Sequence, residues 1–343
     1  MLKVFFKNVG QGDSIVLEWP DEEGINHIGI VDCKRFNSSN PVLNHLIYSE
    51  FKVIDFVFLS HAHSDHYSGL SELLDYCEKK GIVIQNFYHT AQKSQLSIWK
   101  RCLSMNELMD FSNLLSRIDT LIEKNLIINP AEIEVNVKEF KLNQIFNLGF
   151  LAPSYKDYQN LLKQEYLYSE NKSSTVPDMN LVSTILKIYN DKFYILLTSD
   201  STISSQLRAG TKDKTLNEGE LILSQVPHHG SENNYIHSFW KMRKFKQNTP
   251  AVFSVGNNRA HKLPNFKVVN EISKLGYKIY STNCVFGIKE YCNIPSTTTS
   301  TNLSMNLDFG TTLIEEQVTS PISDDYNGEK VFEIDVNGSV TLV

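Results

Sequence analysis

The chain has 343 residues, 41% of them hydrophobic and 21% charged, and 33 Lys and Arg stand against 39 Asp and Glu for a net charge of −6. That balance excludes a disordered chain, a collagen and a coiled coil. It also argues against a nonspecific nucleic-acid coat, while leaving room for a local basic groove.

The N-terminal pattern is a β-meander. Residues 2–9 predict a strand, Gly10-Gln11-Gly12 a turn, residues 13–19 a second strand, and residues 26–32 a third after a Pro-Asp-Glu-Glu-Gly connection. The Gly10/Gly12 pair joins antiparallel strands and opens no helix, so it is not a phosphate loop. Residues 41–48 read as helix. The run 53–59, VIDFVFL, reads as a strand buried on both faces. Residues 69–80 form an amphipathic helix with Leu70, Leu73, Leu74 and Cys77 on one stripe, and 82–89 return to strand. Residues 97–124 are helical in pattern. Together with the charged stretch 132–141 they read as an insertion of about 97–141 on the surface. Strands are expected at 145–151, 181–189, 193–197, 218–226 and 251–255, with a long loop or short helix at 154–177. A helix is expected at 266–275 and an edge hairpin at 278–289. The Ser/Thr/Asn-rich stretch 296–306 reads as a linker, and Asn337-Gly338 as a hairpin turn between 331–336 and 340–343.

Five cysteines without CxxC spacing suggest neither a disulfide framework nor a structural zinc site. With no basic leader and no run of 18 apolar residues, the expectation is a soluble, cytoplasmic protein with no membrane partner.

The chemistry lies in the histidines. His61-Ala62-His63-Ser64-Asp65-His66 follows the buried strand at 53–59. Imidazole and carboxylate are zinc, iron or manganese ligands. In extended backbone His61 and His63 point the same way and can clasp one ion. A turn after Ser64 lets Asp65 and His66 serve a second. Asp200 ends the apolar strand 193–197 and can bridge two cations. His228-His229 follow another β-prone segment. Adjacent residues in a strand face opposite ways, so one ring is expected to ligate metal and the other to donate a proton or hydrogen-bond the ligand shell. His261 is the candidate for a remaining imidazole, with Arg259 and Lys262 to hold an anionic oxygen and Asn257 or Asn258 to orient it. Two divalent ions, zinc by preference and manganese as the alternative, would activate a water and clamp attacking and leaving oxygens.

These residues resemble the metallo-β-lactamase fold superfamily, and within it the hydrolase domain of the ComEC-like DNA-uptake competence proteins. The likeness rests on Val9-Gly10-Gln11-Gly12-Asp13-Ser14, Asp32, His61-x-His63-x-Asp65-His66 with Gly69, Asn180 before a strand, and Asp200. It continues through Val226-Pro227-His228-His229-Gly230-Ser231, Ser254 to Arg259 with His261, and Tyr280-Ser281-Thr282. The resemblance implies an α/β fold, an αββα sandwich with its metals at one edge between two sheets. It implies a hydrolase domain over 1–290 and a linker with a small β extension over 291–343, the latter a candidate site for a protein partner. The usual third-motif histidine is not found near Ala152-Pro153-Ser154, which makes His228 the expected substitute on the first ion and His229 the expected acid. The resemblance reaches only the hydrolase domain of the competence proteins, and the expectation is a stand-alone hydrolase without their channel region. The expected activity is hydrolysis of a phosphodiester by metal-bound hydroxide, nucleic acid being one candidate substrate. Asp65, His229, Asn258 and Arg259 are the expected catalytic residues, and His61, His63, Asp65, His66, Asp200, His228 and His261 the expected ligands. Hydrolysis of a small ester, lactone or phosphorylcholine-type group, or a non-catalytic scaffold, are the competing readings.

Overall fold

The structure, a computed structural model, describes residues 1–90, 96–132, 139–258, 260–292 and 323–343. Arg259 and the linker expected at 296–306 lie outside the described residues, as does much of the charged stretch at 132–141.

Two mixed sheets stack face to face. The first contains β1 (Leu2–Phe6), β2 (Ile15–Pro20), β3 (Asn26–Val31), β4 (Val53–Leu59), β5 (Val83–His89) and β6 (Ile127–Glu132). The second contains β7 (Phe140–Lys141), β8 (Asn147–Ala152), β9 (Ile185–Tyr189), β10 (Phe193–Leu197), β11 (Glu220–Gln225), β12 (Lys244–Phe245), β13 (Pro250–Phe253) and β14 (Lys278–Ser281). The C-terminal β15 (Lys330–Ile334) and β16 (Val340–Leu342) return to the first sheet, whose order is β16-β15-β1-β2-β3-β4-β5-β6. The second sheet runs β14-β13-β11-β10-β9-β8-β7, with β12 beside β11.

Alternation along the strands builds three cores. In β4, Phe56 and Phe58 point between the sheets, while Val57 and Leu59 point to the helices outside. In β10, Phe193, Ile195 and Leu197 point inward and Tyr194 and Leu196 outward. Strands buried on both faces therefore read as continuous apolar runs, and helices cover both outer surfaces. This is the αββα metallo-β-lactamase sandwich. Among the described residues no helix is long and apolar enough to cross a membrane.

Four expectations need correction. Residues 97–124 are not surface elaboration. The helices Leu96–Cys102 and Met105–Glu123 bury Trp99, Phe111 and Leu114 in the outer core of the first sheet, which β6 extends. The segment after Ser154 is a 15-residue helix, Tyr155–Ser169, started by a capping box in which the Ser154 backbone N–H and hydroxyl donate to Asp157. The edge hairpin at 278–289 is instead β14, parallel to β13, followed by the helix Phe286–Tyr291. The turn between β15 and β16 is wider than the Asn-Gly signal implies, with Asp335 accepting the N–H groups of both Asn337 and Ser339.

β3 to β6 are mutually parallel, as are β10, β11, β13 and β14. Their carboxyl ends open on one edge of the sandwich, where open α/β sheets place their ligands.

Candidate metal centre

Strand ends supply the site. β3 leads into Asp32, β4 into Ser60 and His61, β10 into Thr198-Ser199-Asp200, and β11 through Val226-Pro227 into His228 and His229. Asp13 sits just ahead of β2. The backbone is left-handed at Asp32 (φ 59°), Ser199 (φ 42°), His228 (φ 47°) and His229 (φ 55°). Such conformations cost a non-glycine residue about 1–3 kcal/mol and gather at functional sites. They also overturn the expectation that His228 and His229 face opposite ways. Two successive left-handed residues bring both Nε2 atoms to Asp200, at 3.6 and 3.5 Å.

Glycine makes the close approach possible. A Cβ on Gly12 (φ 134°) would lie 2.3 Å from the Asp65 carbonyl oxygen, and one on Gly256 would lie 2.2 Å from Gln11 N. The loop 10–13 is thereby wedged between the Asp65 turn and the end of β13, held by Asp13 N–H donating to Asp65 O (3.1 Å) and Ser254 Oγ donating to Gly12 O (2.8 Å).

Asp200 is the hub. Its carboxylate oxygens lie 3.8 Å from His61 Nε2, 3.5 Å from His66 Nε2 and 3.5 Å from His229 Nε2. His229 Nε2 is also 3.5 Å from Asp65, and His66 Nε2 is 3.9 Å from it. His63 Nδ1 stands 2.9 Å from His61 Nε2. Behind the rings, His66 Nδ1 donates to Asp32 (2.8 Å), which also accepts from the Ser60 hydroxyl and N–H, and His229 Nδ1 donates to Ser254 O (2.7 Å). These bonds hold the Nδ1 protons and aim each Nε2 lone pair into the site, the arrangement metal-binding histidines use.

The buried atoms with no hydrogen-bond partner include Nε2 of His66 and His229, Oδ1 of Asp200, both oxygens of Asp13, Nδ1 of His228 and Oδ1 of Asn180. Each such orphan ordinarily costs about 1–3 kcal/mol. Those of His66, His229, Asp200 and Asp13 belong to groups whose ligand atoms lie within 4.8 Å of one another, and a cation would satisfy them together. The donor set fits: His61, His66 and Asp200 form one group within 4.8 Å, and Asp65, His66 and His229 another. Asp13 joins two more, with Asp32 and His66 and with Asp200 and His229. The centre thus holds distinct His/Asp clusters able to coordinate divalent ions.

Burial, reinforced by the neighbouring rings of His66 and His63, pushes His61 well below the usual imidazole range. Burial lowers His63 likewise. Burial works against charging His66 and His229 too, but Asp200 with Asp32 and Asp65 outweighs it at His66, and Asp200, Asp65 and Asp13 lift His229 to about 9. Asp200 is held well below the carboxylate range because, despite burial, His228, His229 and His66 favour its charge. Burial raises Asp13.

His261 is exposed on the rim and belongs to none of the four groups, with its N–H donating to Asn258 Oδ1. Asn258 and Lys262 line the same cleft. Asp13 and Asp32, which carried the resemblance without being expected as ligands, also stand among the potential ligands, and both are acids at the edge of a buried strand. Asn180 and Lys34 also line the cleft. Lys34 carries no local signal, since only tertiary folding sets it against the Gln11 carbonyl.

Fold and centre together define a metallo-β-lactamase-fold protein with a His/Asp metal-binding site. The profile of the Metallo-beta-lactamase superfamily matches residues 46–131, the span carrying β4, His61 to His66 and β5. Among solved structures, the chain is similar to the metallo-β-lactamase fold protein YhfI from Bacillus subtilis, with 12% identity, 81% of this chain and 95% of that one covered, and a TM-score of 0.44. It is also similar to Zn(2+)-bound PqqB from Methylobacterium extorquens, with 10% identity, coverage of 82% and 98%, and a TM-score of 0.46. No curated protein matches the sequence.

Proposed function

We propose that the protein is a two-metal-dependent phosphodiesterase whose catalytic unit spans residues 1–290. The observation that carries this reading is the cleft over the centre, of about 940 Å³, in which Leu263 is the only apolar residue among the described lining residues and Lys34 and Lys262 stand beside His63, Asp65, Asp200, His228 and His229. A small apolar ester or lactone finds few apolar side chains there, whereas the anionic oxygens of a diester find Lys34, Lys262 and several amides, with the acids Asp178 and Glu232 on the same wall. A neighbouring cleft of about 620 Å³ shares Gln11, Lys34 and Asn258 and continues past Arg35 and Asn283. That continuity supports a substrate longer than one diester, an oligonucleotide among them.

His61, His63 and Asp200 would hold one ion, and Asp65, His66 and His229 the other, with Asp200 between. The imidazole share favours zinc, with manganese as the alternative. The ions, when bound, supply an activated water and Lewis-acid stabilisation of the substrate oxygens. Asp32 and the Ser254 carbonyl keep His66 and His229 in the ligating tautomer. His229 is the buried ring among Asp65, His66 and Asp200, so we assign it the ligand role and give His228, open to the cleft, delivery of a proton to the leaving group, the reverse of the assignment implied by resemblance. Asn258 and Lys262, with Arg259, orient the anionic oxygen. The five free cysteines suit a reducing compartment such as the cytoplasm.

The test is metal-loaded protein on bis(p-nitrophenyl) phosphate, single- and double-stranded DNA, RNA, a p-nitrophenyl ester and a lactone. Diester cleavage is expected, with His229→Ala losing metal and His228→Ala keeping metal but losing rate. Cleavage of the ester or lactone alone would overturn the substrate class.

A further inference from the structure

Asn180 is 7% exposed, lines the main cleft with His63 and Asp200, and has a buried Oδ1 with no hydrogen-bond partner. It shares that signature with the Nε2 atoms of His66 and His229 and with Oδ1 of Asp200, the atoms that face the centre. An amide oxygen left dry and unpaired is unfavourable unless something else satisfies it.

Its backbone is fixed from both sides of the site. Asn180 lies in the short turn Met179–Val182, where its N–H donates to Asp178 Oδ1 (2.9 Å) and its carbonyl accepts from Ser183 N–H (3.1 Å). Ser183 Oγ accepts the Asp200 N–H (3.0 Å), and Thr184 Oγ1 donates to the carbonyl of Ser60, the residue before His61 (3.1 Å). The segment carrying Asn180 is thus pinned to the two strand ends that deliver His61 and Asp200. Asp178, two residues earlier, acts electrostatically on His63.

In the two-ion assignment above, the ion given to His61 and His63 has no third imidazole: His66, which lies within reach both of His61 with Asp200 and of Asp65 with His229, is assigned to the other ion, and His261 is exposed on the rim. Resting on the two-ion reading above, we infer that Asn180 contributes its side-chain oxygen to the ion held by His61, His63 and Asp200. That half of the centre becomes two-nitrogen, two-oxygen and takes manganese more readily than a three-imidazole shell would. Imidazole favours zinc, whereas amide and carboxylate oxygens suit manganese and magnesium.

The experiment is a titration of metal-free protein with Mn²⁺ and with Zn²⁺, read by bound-ion count, calorimetry and the Mn²⁺ paramagnetic resonance spectrum. Wild type is expected to take two Mn²⁺ and show the spectrum of a coupled pair. Asn180→Ala should weaken one Mn²⁺ by about 10–100-fold, a loss typical of a disturbed ligand shell, and leave a single-ion spectrum. Asn180→Asp should keep both Mn²⁺, and Asn180→His should shift that half towards Zn²⁺ at least about tenfold relative to Mn²⁺. Asn180→Asp and Asn180→His keep a ligating side chain, so the test survives if the alanine variant folds poorly. If Asn180→Ala holds both Mn²⁺ as tightly as wild type, with the coupled spectrum intact, the role of Asn180 falls while the two-ion reading stands. If wild type itself binds no ion, both fall.

Discussion

Two clusters of histidine and carboxylate sit at opposite ends of the same two strands. β3 carries His27 near its start and Asp32 just past its end, and β4 carries Asp55 near its start and His61 just past its end. At the first cluster, His27 Nδ1 meets Asp55 Oδ1 at 2.7 Å, its Nε2 lies 3.4 Å from Asp21, and the ring stacks on Trp19. The second oxygen of Asp55 accepts the Ile28 N–H. Every ring nitrogen and carboxylate arm has a partner, and the His27 side chain is 29% exposed. At the other end His66 is fully buried, Asp200 nearly so, and the atoms facing one another include several with no partner. The residue types match and the chemistry does not. Open, convergent and dry valences mark the end that binds something, and closed ones mark an interaction that serves the fold.

Replacing the hub is the most severe way to test that contrast. Asp200→Asn removes the charge between the two sets of imidazoles, so activity is expected to fall by about 10³-fold or more, with at least one ion lost on metal analysis. An enzyme with normal rate and two ions would erase the distinction between the two clusters. Asp32→Asn acts one step out. It keeps the size of the side chain but replaces the carboxylate that accepts the His66 Nδ1 proton, and should weaken metal binding by about 10–100-fold, read by competition with a chromophoric chelator.

His27→Gln should touch neither metal nor rate, and its signature is pH. Burial opposes the charged ring, but Asp55 and Asp21 outweigh it and raise the His27 pKa above 6.5. A raised histidine stabilises the fold most fully below its unfolded pKa and loses that contribution as pH rises through its folded value. Wild type should therefore melt above the variant at pH 5–6, with the gap closing above pH 6.5, and salt should shrink the gap because the pair is partly exposed. A gap that widens with pH would show that His27 is buried neutral and that the cluster is not closed in the way its geometry indicates.

Much of the scaffold was legible locally. The bounds expected for 53–59, 193–197 and 266–275 coincide with β4, β10 and the helix Phe266–Leu275, because a strand buried on both faces writes a continuous apolar run and a capped amphipathic helix writes its own limits. The misreadings fell where neighbours in space decide. The helix Tyr155–Ser169 is polar and rich in Tyr, Lys and Gln, and it follows only weakly from periodicity; the Ser154/Asp157 capping box and the packing of Tyr158 and Leu161 hold it. β14 takes a parallel place beside β13, which no adjacent turn signal can specify.

For the centre, residue type and strand-end position already singled out His61, His63, Asp65, His66, Asp200 and the His228-His229 pair, because a dense run of metal-capable side chains beyond an apolar strand has few structural uses. Which of them face one another was settled by folding alone. Asp200 meets His61 across 139 residues of chain, a separation matched by the Ser199–Ser60 hydroxyl bond. Asp13 arrives through a glycine loop that fits against Asp65, His228 and His229 turn to the same carboxylate through two left-handed residues, and Asn180 is carried in by a turn tied to both sheets. Local sequence determines what a side chain can do and which strand end presents it. Register between strands, sheet-on-sheet packing and the exclusion of water determine which lone pairs are left open, and those arise only when the whole sandwich closes.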